Sequence, residues 1–184
     1  AYEPLKALGA VFGEKSGWER PNWFTVNEAA GDEALRPRGW AGQHWSPAIG
    51  TEAMATRTTA ALFDESSFAK IEVSGPGALA FLEHLCANEM DRPVGSVTYT
   101  QMLNTRGGIE CDFTVNRIAE ERFFIITGTA FGQHDISWLS LNMPEDGSVS
   151  IEDVGSSYAC LGLWGPKARA ILEKVTSDDV SNIG

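Results

Sequence analysis

Ser96–Val115, SVTYTQMLNTRGGIECDFTV, decides how this chain is read. Val97 to Leu103 alternates as a strand does, Asn104 to Gly108 carries the residues of a turn, and Ile109 to Ile118 alternates again. Gly107-Gly108 between two such runs predicts a hairpin whose turn needs positive φ. Along the second strand, Ile109, Cys111 and Phe113 are expected on one face, and Glu110, Asp112 and Thr114 on the other. Asp112 is notable because charges are usually kept off strand interiors, where an unpaired carboxylate is costly. Two readings stay open from the pattern. Asp112 is a solvated surface acid, or it lines a pocket with Tyr99 and the glycine turn, able to take a proton or stabilise a cation. Tyr99 likewise reads as a cross-strand partner or as a ligand contact.

Working outward, Lys70 to Val73 is expected as a short strand. Gly75-Pro76 then opens a helix to about Ala87, with Leu79, Leu82, Leu85 and Cys86 at 3–4 spacing. Phe123 to Thr127 is a third strand, Phe131 to Leu141 a helix, and Val149 to Asp153 and Tyr158 to Trp164 two more strands. Gly165-Pro166 opens a last helix to about Val175. VSGPGALAFLEHL (Val73–Leu85) and LWGPKARAILEKV (Leu163–Val175) echo one another, which suggests two strand-to-helix units stacked on one sheet. The expected fold is α+β: a ferredoxin-like antiparallel or mixed sheet with helices on one face. Residues 1 to about 50 read as loop-rich, with tryptophans that should wrap a neighbouring surface. Thr51 to Phe63 has a helical period. The expected division is residues 1–60 as a wrap and helix, 61–160 as the ferredoxin-like part, and 161–184 as the start of a return. SDDVSNIG, without a closing strand, suggests a fragment.

The 184 residues are 43% apolar and 21% charged, as in an ordinary globular protein. The net charge of −11, without a basic run, argues against nucleic acid. No apolar run approaches the ~20 residues that span a bilayer, so no membrane partner is expected. The three cysteines lack CxxC spacing and read as buried free thiols in a reducing compartment. The three histidines lack metal-site spacing, so no metal is expected. GxSxG, P-loop and GxGxxG motifs are absent.

Several short motifs stand in order across residues 61 to 170: LF-D-S from Leu62, K-x-x-V-x-GP-x-A from Lys70, Y-x-x-M-x-N-x-x-GG-I-x-x-D from Tyr99 and L-x-GP-K-A from Leu163. Together they resemble the glycine-cleavage T-protein family of tetrahydrofolate-binding aminomethyltransferases. The branch most resembled is the one fused to flavin-dependent dimethylglycine and sarcosine dehydrogenases; FGEKSGWERPNWF (Phe12–Phe24) is similar to the segment joining the two halves there.

The resemblance implies tetrahydrofolate-dependent transfer of an aminomethyl or methylene unit. The family's acid falls on Asp112 as the catalytic residue, and its folate-contacting tyrosine on Tyr99. Met102, Asn104, Gly108 and Thr127 become expected folate contacts. Asp64 and Ser66 match a corner read as architectural. The implied partners are tetrahydrofolate, a methylamine-type one-carbon donor and a flavin dehydrogenase domain. FAD is implied only if such a domain is separate or upstream. A cytoplasmic location is expected, or the mitochondrial matrix in a eukaryote. Alternatives are a non-catalytic folate-binding or scaffold module and a related tetrahydrofolate-dependent demethylase. The sequence departs from the family at Cys111, where the T-protein branch has a second aspartate. The family's later Tyr-x-Gly-Glu motif, its closing β-barrel and a flavin-binding half have no counterpart before Gly184.

Overall fold

A computed structural model describes residues 2–183. The chain forms two compact units, one running through Glu65 and resuming at Leu161, the other Ser66–Cys160.

The first unit begins with helix α1 (Tyr2–Ala7) and a hairpin of β1 (Ala10–Lys15) and β2 (Trp18–Phe24). Ser16 and Gly17 turn the hairpin with φ of 53° and 84°, the two-residue left-handed geometry that matches strand twist. The expected loop is therefore partly a sheet, hidden in the sequence by Gly13, Pro21 and the charges around them. Helix α2 spans Ala48–Thr58, and Ala61–Asp64 that follows it is strand β3, not helix. Its reason is tertiary: β3 pairs antiparallel with β9 (Leu161–Trp164), a hundred residues on. Glu52 on α2 accepts hydrogen bonds from the Phe24 amide and the Asn27 side chain. Glu28 accepts from the Trp23 indole and the Ser46 hydroxyl. These two carboxylates organise the segment more than its aromatics do, since Trp18 and Trp40 stand exposed.

The second unit runs β4 (Ala69–Ser74), α3 (Ala78–Leu85), β5 (Val97–Leu103), β6 (Ile109–Ala119), β7 (Arg122–Thr127), α4 (Gly132–Leu141) and β8 (Ser150–Asp153). Its strands form one sheet in the order β5-β6-β7-β4-β8, with every neighbouring pair antiparallel. Leaving β5 aside, this is the ferredoxin-like order, with β5 added at the edge. The core lies between the sheet and the helices. Ile71, Val73, Cys111, Phe113, Val115, Phe123 and Ile125 pack there against Ala78, Phe81, Leu82, Leu85 and Leu139. Burying each large aliphatic side chain contributes about 1.5–3 kcal/mol.

The echoed Gly-Pro corners do not share a sheet. β4 leads into α3 in the second unit, whereas β9 leads into α5 (Ala168–Leu172) in the first. They share backbone geometry: Gly75 and Gly165 have φ of 115° and 112°. A Cβ on Gly75 would also collide with the Ser148 carbonyl oxygen. Gly75→Ala is expected to lose about 2 kcal/mol of stability from backbone strain alone, read as a lowered urea midpoint; an unchanged midpoint would contradict this.

Two polar devices close the second unit. The Ser66 hydroxyl donates to the Cys160 carbonyl at 3.4 Å and accepts from the Cys160 amide at 3.1 Å, clasping its two ends. The Lys70 ammonium, on a side chain that is 1% exposed, donates to the carbonyls of Ser66 and Phe68 at 2.9 Å and Gly155 at 3.3 Å. No helix of the described residues is long and apolar enough to cross a membrane.

Candidate functional site

The five-stranded sheet has two unlike faces. Along β5, Thr98, Thr100 and Met102 are buried beneath the helices, whereas Val97, Tyr99 and Leu103 are exposed on the other side. Along β6, Cys111, Phe113, Val115 and Arg117 are buried and Asp112 is exposed. Register places Gln101 opposite Asp112 and Tyr99 opposite Thr114. Asp112 and Tyr99 therefore sit diagonally on the helix-free face, within reach of each other.

They are coupled. The Tyr99 phenol, on a residue 57% exposed, lies beside the Asp112 carboxylate. Interaction with that carboxylate holds the phenol above the ordinary tyrosine value, because ionising it would set a phenolate against a carboxylate. Gln101 acts on the same hydroxyl in the opposite sense. Asp112→Asn removes the repelling charge, so tyrosinate absorbance should then rise at lower pH. Tyr99→Phe should abolish that component, which separates it from Tyr2 and Tyr158. A titration curve identical in wild type and Asp112→Asn would disprove the coupling.

The remaining expected contacts are not on this face. Met102 is 0% exposed and packs in the core, on the side opposite Asp112. Thr127 is buried on that same inner side, where its hydroxyl donates to Asp135 Oδ2 at 2.7 Å. Met102 was expected beside Tyr99 on the incoming strand and Thr127 as a contact that the resemblance implies; side-chain alternation puts both on the inner face. Asn104 shapes the turn: its Oδ1 accepts from the amides of Arg106 and Gly108 at 2.9 and 3.0 Å. Gly107 supplies the positive φ of 79°, and a Cβ on Gly108 would press on the Asn104 side-chain amide at 2.9 Å. The acid–phenol pair stands on an exposed sheet face, not in an enclosed pocket.

A second polar group lies beneath the sheet and was missed in the sequence. The register of β5 on β6 shifts between Met102 and Leu103, which pair with Cys111 and Ile109 and leave Glu110 unopposed. This bulge breaks the expected alternation. Glu110 does not simply follow Asp112; its carboxylate accepts from the Asn104 amide at 2.8 Å and lies 4.0 Å from His134 Nε2 on α4. His134 Nδ1 is 3.0 Å from Asp135 Oδ1. Cys111, His134 and Asp135 each bring a donor atom within 4.8 Å of the others. Spacing along the chain could not reveal this, since the donors come from a strand and a helix. No disulfide joins the cysteines among the described residues, and of the three expected to be buried only Cys111 is; Cys86 and Cys160 are half-buried. Burial pushes the Cys86 thiol up to about 12, so it stays protonated at neutral pH.

The fold and the acid-bearing hairpin define a T-protein-type α+β module. A family model, the GCVT N-terminal domain, matches residues 1–183, and the chain belongs to that family. It is similar to glycine cleavage system aminomethyltransferase T from Bartonella henselae, with TM-score 0.74 and 27% identity over 94% of this chain and 42% of that one. It is 32% identical to rat (Rattus norvegicus) mitochondrial dimethylglycine dehydrogenase, over 92% of this chain and 20% of that protein. It is 33% identical to the mouse (Mus musculus) mitochondrial pyruvate dehydrogenase phosphatase regulatory subunit, over 95% of this chain and 20% of that protein. The chain thus spans about a fifth of the length of these curated relatives.

Proposed function

We propose that this chain is the folate-facing module of a tetrahydrofolate-dependent one-carbon transferase, of the kind joined to dimethylglycine or sarcosine dehydrogenases. The observation that carries the reading is the Tyr99–Asp112 pair on the helix-free face of the sheet. Tetrahydrofolate, when bound, supplies the nucleophilic amine that accepts the one-carbon unit. The residues fit such a ligand: an exposed phenol ring offers a surface for a flat heterocycle, and a carboxylate beside it suits an amine that becomes cationic. Asp112 accepts the amine proton or stabilises positive charge, and Tyr99 holds that carboxylate in place. The one-carbon donor is a methylamine-derived unit. FAD enters this reading only as the cofactor of a separate or upstream dehydrogenase domain.

The test is titration of the intact protein with folinic acid, alongside one-carbon transfer assays. Wild type should bind, Tyr99→Ala should bind several-fold more weakly, and Asp112→Asn should lose transfer. Absence of folinic acid binding would remove the reading. The similarity to a regulatory subunit favours a second one, a non-catalytic folate-binding or scaffold module. In that case folinic acid binds and Asp112→Asn changes no activity.

A further inference from the structure

We propose that Cys111, His134 and Asp135 form a binding site for a soft divalent cation, with Zn2+ as the reference case, on the helix-covered side of the five-stranded sheet. The site is distinct from the acid–phenol pair and does not rest on the folate reading.

Three features carry the inference. The donor set is a thiol, an imidazole and a carboxylate, which as a thiolate–nitrogen–oxygen set suits Zn2+ better than Mg2+ or Ca2+. The donors are already close. Tetrahedral zinc with bonds of 2.0–2.3 Å needs ligand atoms about 3.4 Å apart. Here His134 Nδ1 and Asp135 Oδ1 are 3.0 Å apart, and all three donor atoms fall within 4.8 Å of one another.

The third feature is the outer layer. Metal-binding histidines usually give their other ring N–H to a carboxylate, and ligating carboxylates are themselves hydrogen-bonded. With Nδ1 on the metal, His134 Nε2 faces Glu110 Oε2 at 4.0 Å, and the free oxygen of Asp135 receives the Thr127 hydroxyl at 2.7 Å. The β-bulge is what turns Glu110 toward His134. Asp135 is 1% exposed and Cys111 is buried, whereas the His134 side chain is 51% exposed. The cation would enter past the imidazole, and a water would complete its coordination on that side. A bond forms between the cation and Cys111 Sγ while the S–H bond breaks, and the thiol proton passes to solvent; nothing is oxidised or reduced.

The same contacts admit a plainer role, in which Asp135 is a buried carboxylate satisfied by surrounding donors. Cobalt distinguishes the two. The intact protein, stripped by a chelator, is titrated with Co2+ and then with Zn2+. About one equivalent of Co2+ should bind, with a near-ultraviolet thiolate-to-cobalt band that Zn2+ abolishes. Cys111→Ser should lose the band. His134→Asn, at an exposed position that leaves the core intact, should weaken binding at least tenfold. Glu110→Gln should weaken it by about tenfold, the usual effect of losing such a partner. The proposal is overturned if wild type shows no band, or if His134→Asn and Cys111→Ser bind Co2+ as wild type does.

Discussion

Asp112→Asn in the intact protein should lower one-carbon transfer by about 10²-fold or more while leaving the fold unchanged. The magnitude is that of a positioned proton-transfer group. The amide keeps the shape of the side chain, so the change isolates the charge. The loss should fall on kcat, with KM little altered, because the carboxylate acts on charge that develops during the reaction. Stability should stay within about 0.5 kcal/mol, since Asp112 is exposed on the sheet face and carries no core contact. A variant that keeps half its activity would remove Asp112 from the chemistry, and a variant that unfolds would show that the side chain is structural.

Lys70→Met should cost about 3–4 kcal/mol of stability, the largest structural effect expected here. Methionine retains the apolar stem, so the loss reports the ammonium. That group joins three carbonyls from two separated stretches, Ser66 and Phe68 before β4 and Gly155 after β8. Without it the half-buried carbonyls lose a charged donor, at about 1–3 kcal/mol each before relaxation and rehydration. Urea unfolding of wild type and variant measures the difference, and a change below about 1 kcal/mol would show that water replaces the ammonium.

Much of the second unit was legible in the residues. The spans of β4 to β8, α3 and α4 follow from alternation, 3–4 spacing and the Gly-Pro and Gly-Gly signals, because these patterns reflect contacts within a few residues. The hairpin that brings Asp112 and Tyr99 together belongs to this class. The first unit was less legible. β3 reads as the end of a helix until β9 pairs with it, and β1 and β2 are held as a pair although glycine and proline interrupt them.

The candidate site divides along the same line. Alternation set Asp112 and Tyr99 on one face, and it also separates them from Met102 and Thr127, which the resemblance had grouped with them. What no local pattern contained was the one-residue slip at Met102–Leu103. It leaves Glu110 unopposed, within 4.0 Å of His134 on α4; the meeting of Cys111 with His134 and Asp135 comes from strand and helix packing together. Short-range order, fixed by backbone stereochemistry and hydrophobic period, was thus written in the chain. Strand partners, the bulge and the partition of the echoed Gly-Pro corners between two units were decided by tertiary packing, since each depends on residues far apart in sequence that burial of the core brings together.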